Sequence, residues 1–164
     1  MRAVTAILCR GDSILLLRRS LHMPTMPGLW SAVSGTIEGD EDIMYRMHLE
    51  ICEETGIKHV RALSSCSLRI TDGIWLYSVL CAACGDVRLN LENTAYRWIR
   101  PADIISYDTV PALNDILFLL LGSIGALTGE HYVYAGTATH RTWYVVSGML
   151  ACPRVYEGCF FRVY

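Results

Sequence analysis

The chain has 164 residues, 52% of them hydrophobic, which suits one domain with a sizeable core and excludes wholesale disorder. Fourteen basic residues against sixteen acidic leave a net charge of −2, which argues against a generic nucleic-acid-coating protein. The longest apolar stretch, Ile116 extended to Leu127, is about a dozen residues, short of the ~20 a membrane span needs.

Val4 to Cys9 and Ser13 to Leu17 are apolar runs around Arg10-Gly11-Asp12, and they predict a β-hairpin. The first run lacks a small-residue cleavage site, so it does not read as a signal peptide, and a cytoplasmic protein is expected. Arg18 and Arg19 end the second strand, and a loop with Pro24 and Pro27 follows. Trp30 to Val33 predicts a short strand, and Ser34 to Asp40 a polar loop. Glu41 to Thr55 predicts a helix, because Ile43, Met47 and Ile51 recur every four residues and Gly56 stands at the C-cap.

Val60 to Ile70 and Ile74 to Cys84 predict two strands around Thr71-Asp72-Gly73, and Tyr96 to Ile99 another, broken by Pro101. Pro111 to Leu121 predicts a second helix with proline in its first turn. The order of elements favours an α+β fold with a mixed sheet packed between helices. Residues 1–121 form the expected main domain. Residues 122–164, with five of the nine tyrosines and two acidic residues, are an extension expected to pack on it as a hairpin, with strands at His131 to Tyr134 and Arg141 to Val146. An oligomer contact, in its simplest form a homodimer, is the second reading of that tail, and poorly ordered residues are the third.

Seven cysteines fit buried thiols better than a metal site. Cys81 and Cys84 have a zinc-knuckle spacing, but Cys152 and Cys159 do not supply a matching second pair.

Seven of the sixteen acidic residues lie between Glu38 and Glu54. A charged, solvated helix face is the ordinary explanation of such a run. Glu50, Glu53 and Glu54, however, span about 100° of the helix surface, and like charges so placed repel. A bound hard cation, Mg²⁺ or Mn²⁺, would relieve that repulsion. Gly35 and Gly39 in the preceding segment let the main chain approach a ligand closely.

The pattern runs Gly35, five residues, Glu41, seven residues, then Leu49-Glu50-Ile51-Cys52-Glu53-Glu54-Thr55-Gly56-Ile57. It resembles the Nudix hydrolase signature, with eight of nine fixed positions matched: Gly35, Glu41, Glu50, Ile51, Glu53, Glu54, Gly56 and Ile57. Trp30 to Gly35 and Tyr96-Arg97-Trp98 match the family's flanking segments, so the resemblance covers about residues 3–121. It implies a Nudix-type α/β/α sandwich and a hydrolase of a nucleoside diphosphate linked to another moiety, with Mg²⁺ or Mn²⁺ as cofactor and a small nucleotide-type substrate as partner.

Carried over residue by residue, the resemblance implies Glu50, Glu53 and Glu54 as metal ligands and catalytic residues, with the Gly35 carbonyl completing the set. Glu41 and Gly56 hold the motif. Glu92, in the loop before Tyr96, is the candidate general base. Arg19 is a candidate phosphate partner, and Trp30, Trp75 and Trp98 are candidates for base stacking. The departure is Leu49, where the family has arginine. Arg46, three residues earlier, is placed to pair with Glu50 instead. A degenerate domain that binds without turnover is the alternative that Leu49 supports. An isomerase of the same superfamily is a third reading, and the expected cysteine motif for it is absent from the approach to the box.

Overall fold

The structure is a computed structural model. It describes residues 1–70 and 73–128 and the strands Tyr132–Thr137, His140–Val145 and Phe160–Val163. Strand β1 (Arg2–Arg10) turns at Gly11, whose φ of 54° suits glycine, into β2 (Ser13–Arg19). The two strands pair only at Cys9–Ile14 and Arg10–Ser13 and then part. The expected hairpin is therefore short.

The next segment fills the opening. Strand β3 (Trp30–Ser31) pairs with β2, and β4 (Val33–Ile37) pairs antiparallel with β1, from Ala6–Val33 to Arg2–Ile37. Ser34 to Ile37 is thus strand, where the sequence suggested loop. Val33 and Ile37 are buried at the two ends of β4, and the glycine and hydroxyl residues between them masked the period.

Helix α1 (Ile43–Thr55) starts two residues later than expected. Asp42 keeps extended backbone and accepts a hydrogen bond from Tyr45 N at 2.8 Å, so Asp42 is the N-cap and Glu41 lies outside the helix. Gly56 ends the helix with φ 70°, and its N–H donates to Cys52 O at 2.9 Å.

Strands β5 (His59–Ile70) and β6 (Ile74–Cys84) form the long antiparallel pair that the sequence predicts. β6 then runs parallel to β1, which makes the sheet mixed. Strand β7 (Asn93–Ile99) starts three residues earlier than expected and pairs with β2. A 3-10 helix, Pro101–Ser106, begins at the proline that ends it. Helix α2 (Leu113–Thr128) runs on past Leu121, through Gly122 and Gly125.

In the tail, β8 (Tyr132–Thr137) and β9 (His140–Val145) pair as a hairpin, and β10 (Phe160–Val163) pairs with β5. The expected strand residues His131 and Val146 lie outside the described residues.

The sheet has a core on each face. Leu15, Leu17, Val4, Val33 and Val79 pack under Met47 and Ile51 of α1. Ile14, Leu16, Ile7 and Leu80 pack under Leu113, Ile116, Leu117 and Leu120 of α2. The alternation along β2 sends successive leucines to opposite sides. Each fully buried side chain of this kind contributes roughly 1.5–3 kcal/mol.

Candidate active site

The gap between the parted strands β1 and β2 sets the site. Helix α1 crosses it and lowers Glu54 into it. Glu54 Oε1 accepts a hydrogen bond from Ser34 N of β4 at 3.0 Å, and its Oε2 accepts one from Asn93 Nδ2 of β7 at 2.9 Å. The carboxyl group therefore ties two strands that do not pair with each other, and only 4% of the residue is exposed. Burial pushes its pKa up to about 7, and the negative charges of Glu50 and Glu92 add to the shift. The two hydrogen bonds work in the opposite direction.

Glu50 lies one turn earlier on the same face. A Cβ on residue 35 would overlap the Glu50 carboxylate, so glycine at 35 is what lets that side chain lie against β4. Burial raises the pKa of Glu50, while the Arg46 guanidinium opposes the rise. Arg46 Nε donates to Glu50 Oε1 at 2.8 Å, and a second guanidinium nitrogen reaches the same oxygen. The guanidinium also stands 3.9 Å from Glu41 and 4.0 Å from Glu53. Glu41 accepts from Glu38 N at 3.4 Å, which folds the loop ahead of the helix. Glu53 is the most exposed of the set, with 58% of its side chain open to solvent.

Glu92 is exposed at the start of β7, and its charge reaches Glu50 and Glu54. Its carbonyl accepts from Ser20 N at 2.7 Å, joining this turn to the loop after β2. The Arg19 backbone pairs with Asn93, just past a register shift between Arg18 and Arg19. Its guanidinium is bonded to Thr25 O at 3.1 Å and Thr25 Oγ1 at 3.2 Å. Gly56 approaches Arg88 Cβ at 3.2 Å from the position its own Cβ would take, which adds to the demand of its backbone for glycine.

The tryptophans are not gathered with the carboxylates. Trp30 packs on the α2 side and makes an edge contact with Tyr107, centroids 5.3 Å apart. Trp98 is on the α1 side, but it is five residues, about 17 Å of strand, from Asn93. The Arg10 guanidinium lies over its ring at 4.5 Å. Trp75 pairs with Arg2 and Arg69 on β1 and β5.

Asn93 is the residue that sequence reasoning missed. It resembles any turn residue in sequence, and its partner is 39 positions away.

The structure thus brings together Glu41, Glu50, Glu53, Glu54, Glu92, Gly35 and Arg46. Among the described residues no three His, Cys, Asp or Glu side chains converge as a ready cation cage. The donor chemistry nevertheless fits a hard divalent ion, since the grouped side chains are carboxylates. One of them, the Glu50 carboxylate, fills the space that Gly35 leaves without a side chain.

No curated protein matches the chain. Solved structures do. The MutT protein of Methanosarcina mazei is 24% identical, with TM-score 0.61, covering 76% of this chain and 94% of its own. The ORF135 protein of E. coli is 26% identical, with TM-score 0.59, covering 77% and 91%. A C. elegans Ap4A hydrolase in a binary complex is 20% identical, with TM-score 0.63, covering 76% and 98%. The family model for the NUDIX domain matches residues 1–120, nearly the whole body that carries both helices and the carboxylate face, and the chain belongs to that family.

Proposed function

We propose that the protein is a divalent-metal-dependent hydrolase that cleaves a diphosphate bond in a nucleoside diphosphate linked to another moiety. The observation that carries this reading is the α1 face. Two buried carboxylates, Glu50 and Glu54, sit beside exposed Glu53, all three at signature positions of the family, and exposed Glu92 lies in reach of their charge. Helix packing alone gives no reason to bury them.

Glu50, Glu53 and Glu54 would hold the metal, Mg²⁺ or Mn²⁺. When bound, such an ion supplies charge neutralisation for the diphosphate and lowers the pKa of water. The chain's own residues do the rest. Ser34 N–H and Asn93 fix the orientation of Glu54. Gly35 clears the space for Glu50, and Glu41 shapes the approach loop. Glu92, exposed just before β7, is the group placed to take a proton from water as general base. Arg19 meets a substrate phosphate once it leaves Thr25. Arg46 supplies the positive charge that Leu49 does not. The tryptophans are weaker base-stacking candidates, with Trp30 on the other face and Trp98 far along β7.

The tail 122–164 is an extension outside this chemistry. A cytosolic setting agrees with the thiols of Cys9, Cys52, Cys81 and Cys84, which form no disulfide. Among the described residues no helix is long and apolar enough to cross a membrane.

The test is release of phosphate and mononucleotide from a panel of nucleotides with Mg²⁺ or Mn²⁺ present and then chelated. Cleavage that stops on chelation and resumes on metal addition is the expected result. No turnover on any member of the panel, with the metal bound, would favour a binding domain without hydrolysis.

A further inference from the structure

We infer that Arg46 is a tethered cation that occupies Glu50 in the metal-free protein and must release that oxygen before a divalent ion can take it. The inference rests on the divalent-metal reading above. It starts from the side chain that neutralises the acidic face. Among the described residues, Arg46 is the one basic group within 4.0 Å of Glu41, Glu50 and Glu53. Leu49 carries no charge, and Arg19 is held by Thr25.

The contact with Glu50 has a particular form. Both Arg46 Nε and a terminal guanidinium nitrogen converge on one oxygen, Oε1, rather than spreading over the two oxygens of the carboxylate. That oxygen is the atom of Glu50 closest to where a Cβ on Gly35 would stand, so it is the one the glycine admits against β4. Two cations on one carboxylate oxygen in a mostly buried setting repel each other strongly. The guanidinium and a divalent ion therefore exclude each other at Oε1.

The exchange is physically easy in one direction. Arg46 sits on a flexible stem on the first turns of α1 and is about one-quarter exposed, so it can swing out to water while staying near Glu41 and Glu53. A single positive charge offsets only part of a group of four carboxylates, Glu41, Glu50, Glu53 and Glu54. A divalent ion offsets more. Arg46 is thus a positioning residue: it holds Glu50 in place against β4 without metal, and it sets a threshold that the metal must exceed.

The experiment uses the full chain, without substrate. Mn²⁺ binding is measured by calorimetry for the wild-type protein and for Arg46→Gln. In parallel, the Arg Nε–Hε resonances of the wild-type protein are followed by NMR through a Mg²⁺ titration, with Arg46→Lys identifying the Arg46 signal by its loss. The expected result is Mn²⁺ binding about tenfold tighter in Arg46→Gln, equivalent to ~1.4 kcal/mol. The Arg46 signal should also move in step with Mg²⁺ occupancy. Equal or weaker Mn²⁺ binding by Arg46→Gln, or an Arg46 signal unmoved at Mg²⁺ saturation, overturns the inference and leaves the metal reading standing. The NMR arm does not depend on how well the glutamine variant folds. Absence of Mn²⁺ uptake by both proteins has a different signature, two flat titrations, and overturns the metal reading together with the inference.

Discussion

Helix α2 covers its face of the sheet with Leu113, Ile116, Leu117 and Leu120, each at most 2% exposed. Helix α1 covers the opposite face with Met47 and Ile51, equally buried, and with Glu50 and Glu54, which are nearly so. Both helices obey the same spacing, and both fill the space above alternating residues of β1 and β2. The difference lies in the second pair of α1 positions. On α2 these four inward positions all add apolar burial. On α1 half of them bury a group that prefers water, and a strand gap, a bare glycine, an asparagine and an arginine are needed to accommodate it. One face is built for stability, and the other gives up stability to place charge.

The largest expected effect belongs to the stability face. Leu117→Ala should cost about 2–5 kcal/mol, because Leu117 is fully buried and its loss leaves a cavity. Denaturant unfolding measures this. The turnover of the remaining folded protein should not change. A selective loss of turnover would show that the two faces are not separate in function.

Gly35→Ala should do the reverse. The strand backbone accepts alanine, but the new methyl group forces the Glu50 carboxylate away. Metal-dependent turnover should fall about tenfold or more, equivalent to ~1.4 kcal/mol, with little change in unfolding free energy. Unchanged turnover would mean that Glu50 does not act from its position beside β4.

Arg46→Ala should lower the stability of the metal-free protein by about 1–3 kcal/mol, since it leaves a buried carboxylate without its partner. Leu49→Arg, which restores the family residue, should recover part of that loss. The double mutant decides the point: strictly additive effects on unfolding free energy would show that the two sites are not coupled.

The smallest effect concerns the thiols under α1. Burial pushes the Cys81 thiol up to about 12, so it stays protonated where an unfolded thiol has ionised. The native state then binds the extra proton between pH 9 and 12, and stability falls as pH rises through that range. At pH 8 this contribution is absent. An alkylating reagent should then label exposed Cys84 and spare Cys81, as peptide mapping can read. Equal labelling would show that the α1 face opens readily.

Much of this contrast is legible in the sequence. The apolar stripe of Ile43, Met47 and Ile51 and the Gly56 stop define α1, and the glutamate spacing marks its second face. What the sequence hides is what depends on distant contacts. Ser34 to Ile37 reads as loop because Gly35 and its polar neighbours carry no apolar period, yet the segment is strand since β1 offers it an edge where β2 departs. Asn93 acquires its role only when β7 comes beside β2. Glu41 reads as helical by composition, but the Asp42 side chain claims the N-cap. The aromatic residues mislead for a related reason. A tryptophan suits a core and a base-stacking site equally well, and here the sheet's own twist and register decide which face each one meets.

The most direct measurement is the metal-dependent turnover of Glu53→Gln set beside its unfolding curve. Glu53 is exposed, so the fold does not depend on its charge. If the α1 face is the hydrolytic site, turnover with Mg²⁺ falls about a hundredfold or more, as loss of a metal ligand implies, while the unfolding midpoint stays near that of the wild-type protein. Wild-type turnover in a folded Glu53→Gln protein would contradict the assignment.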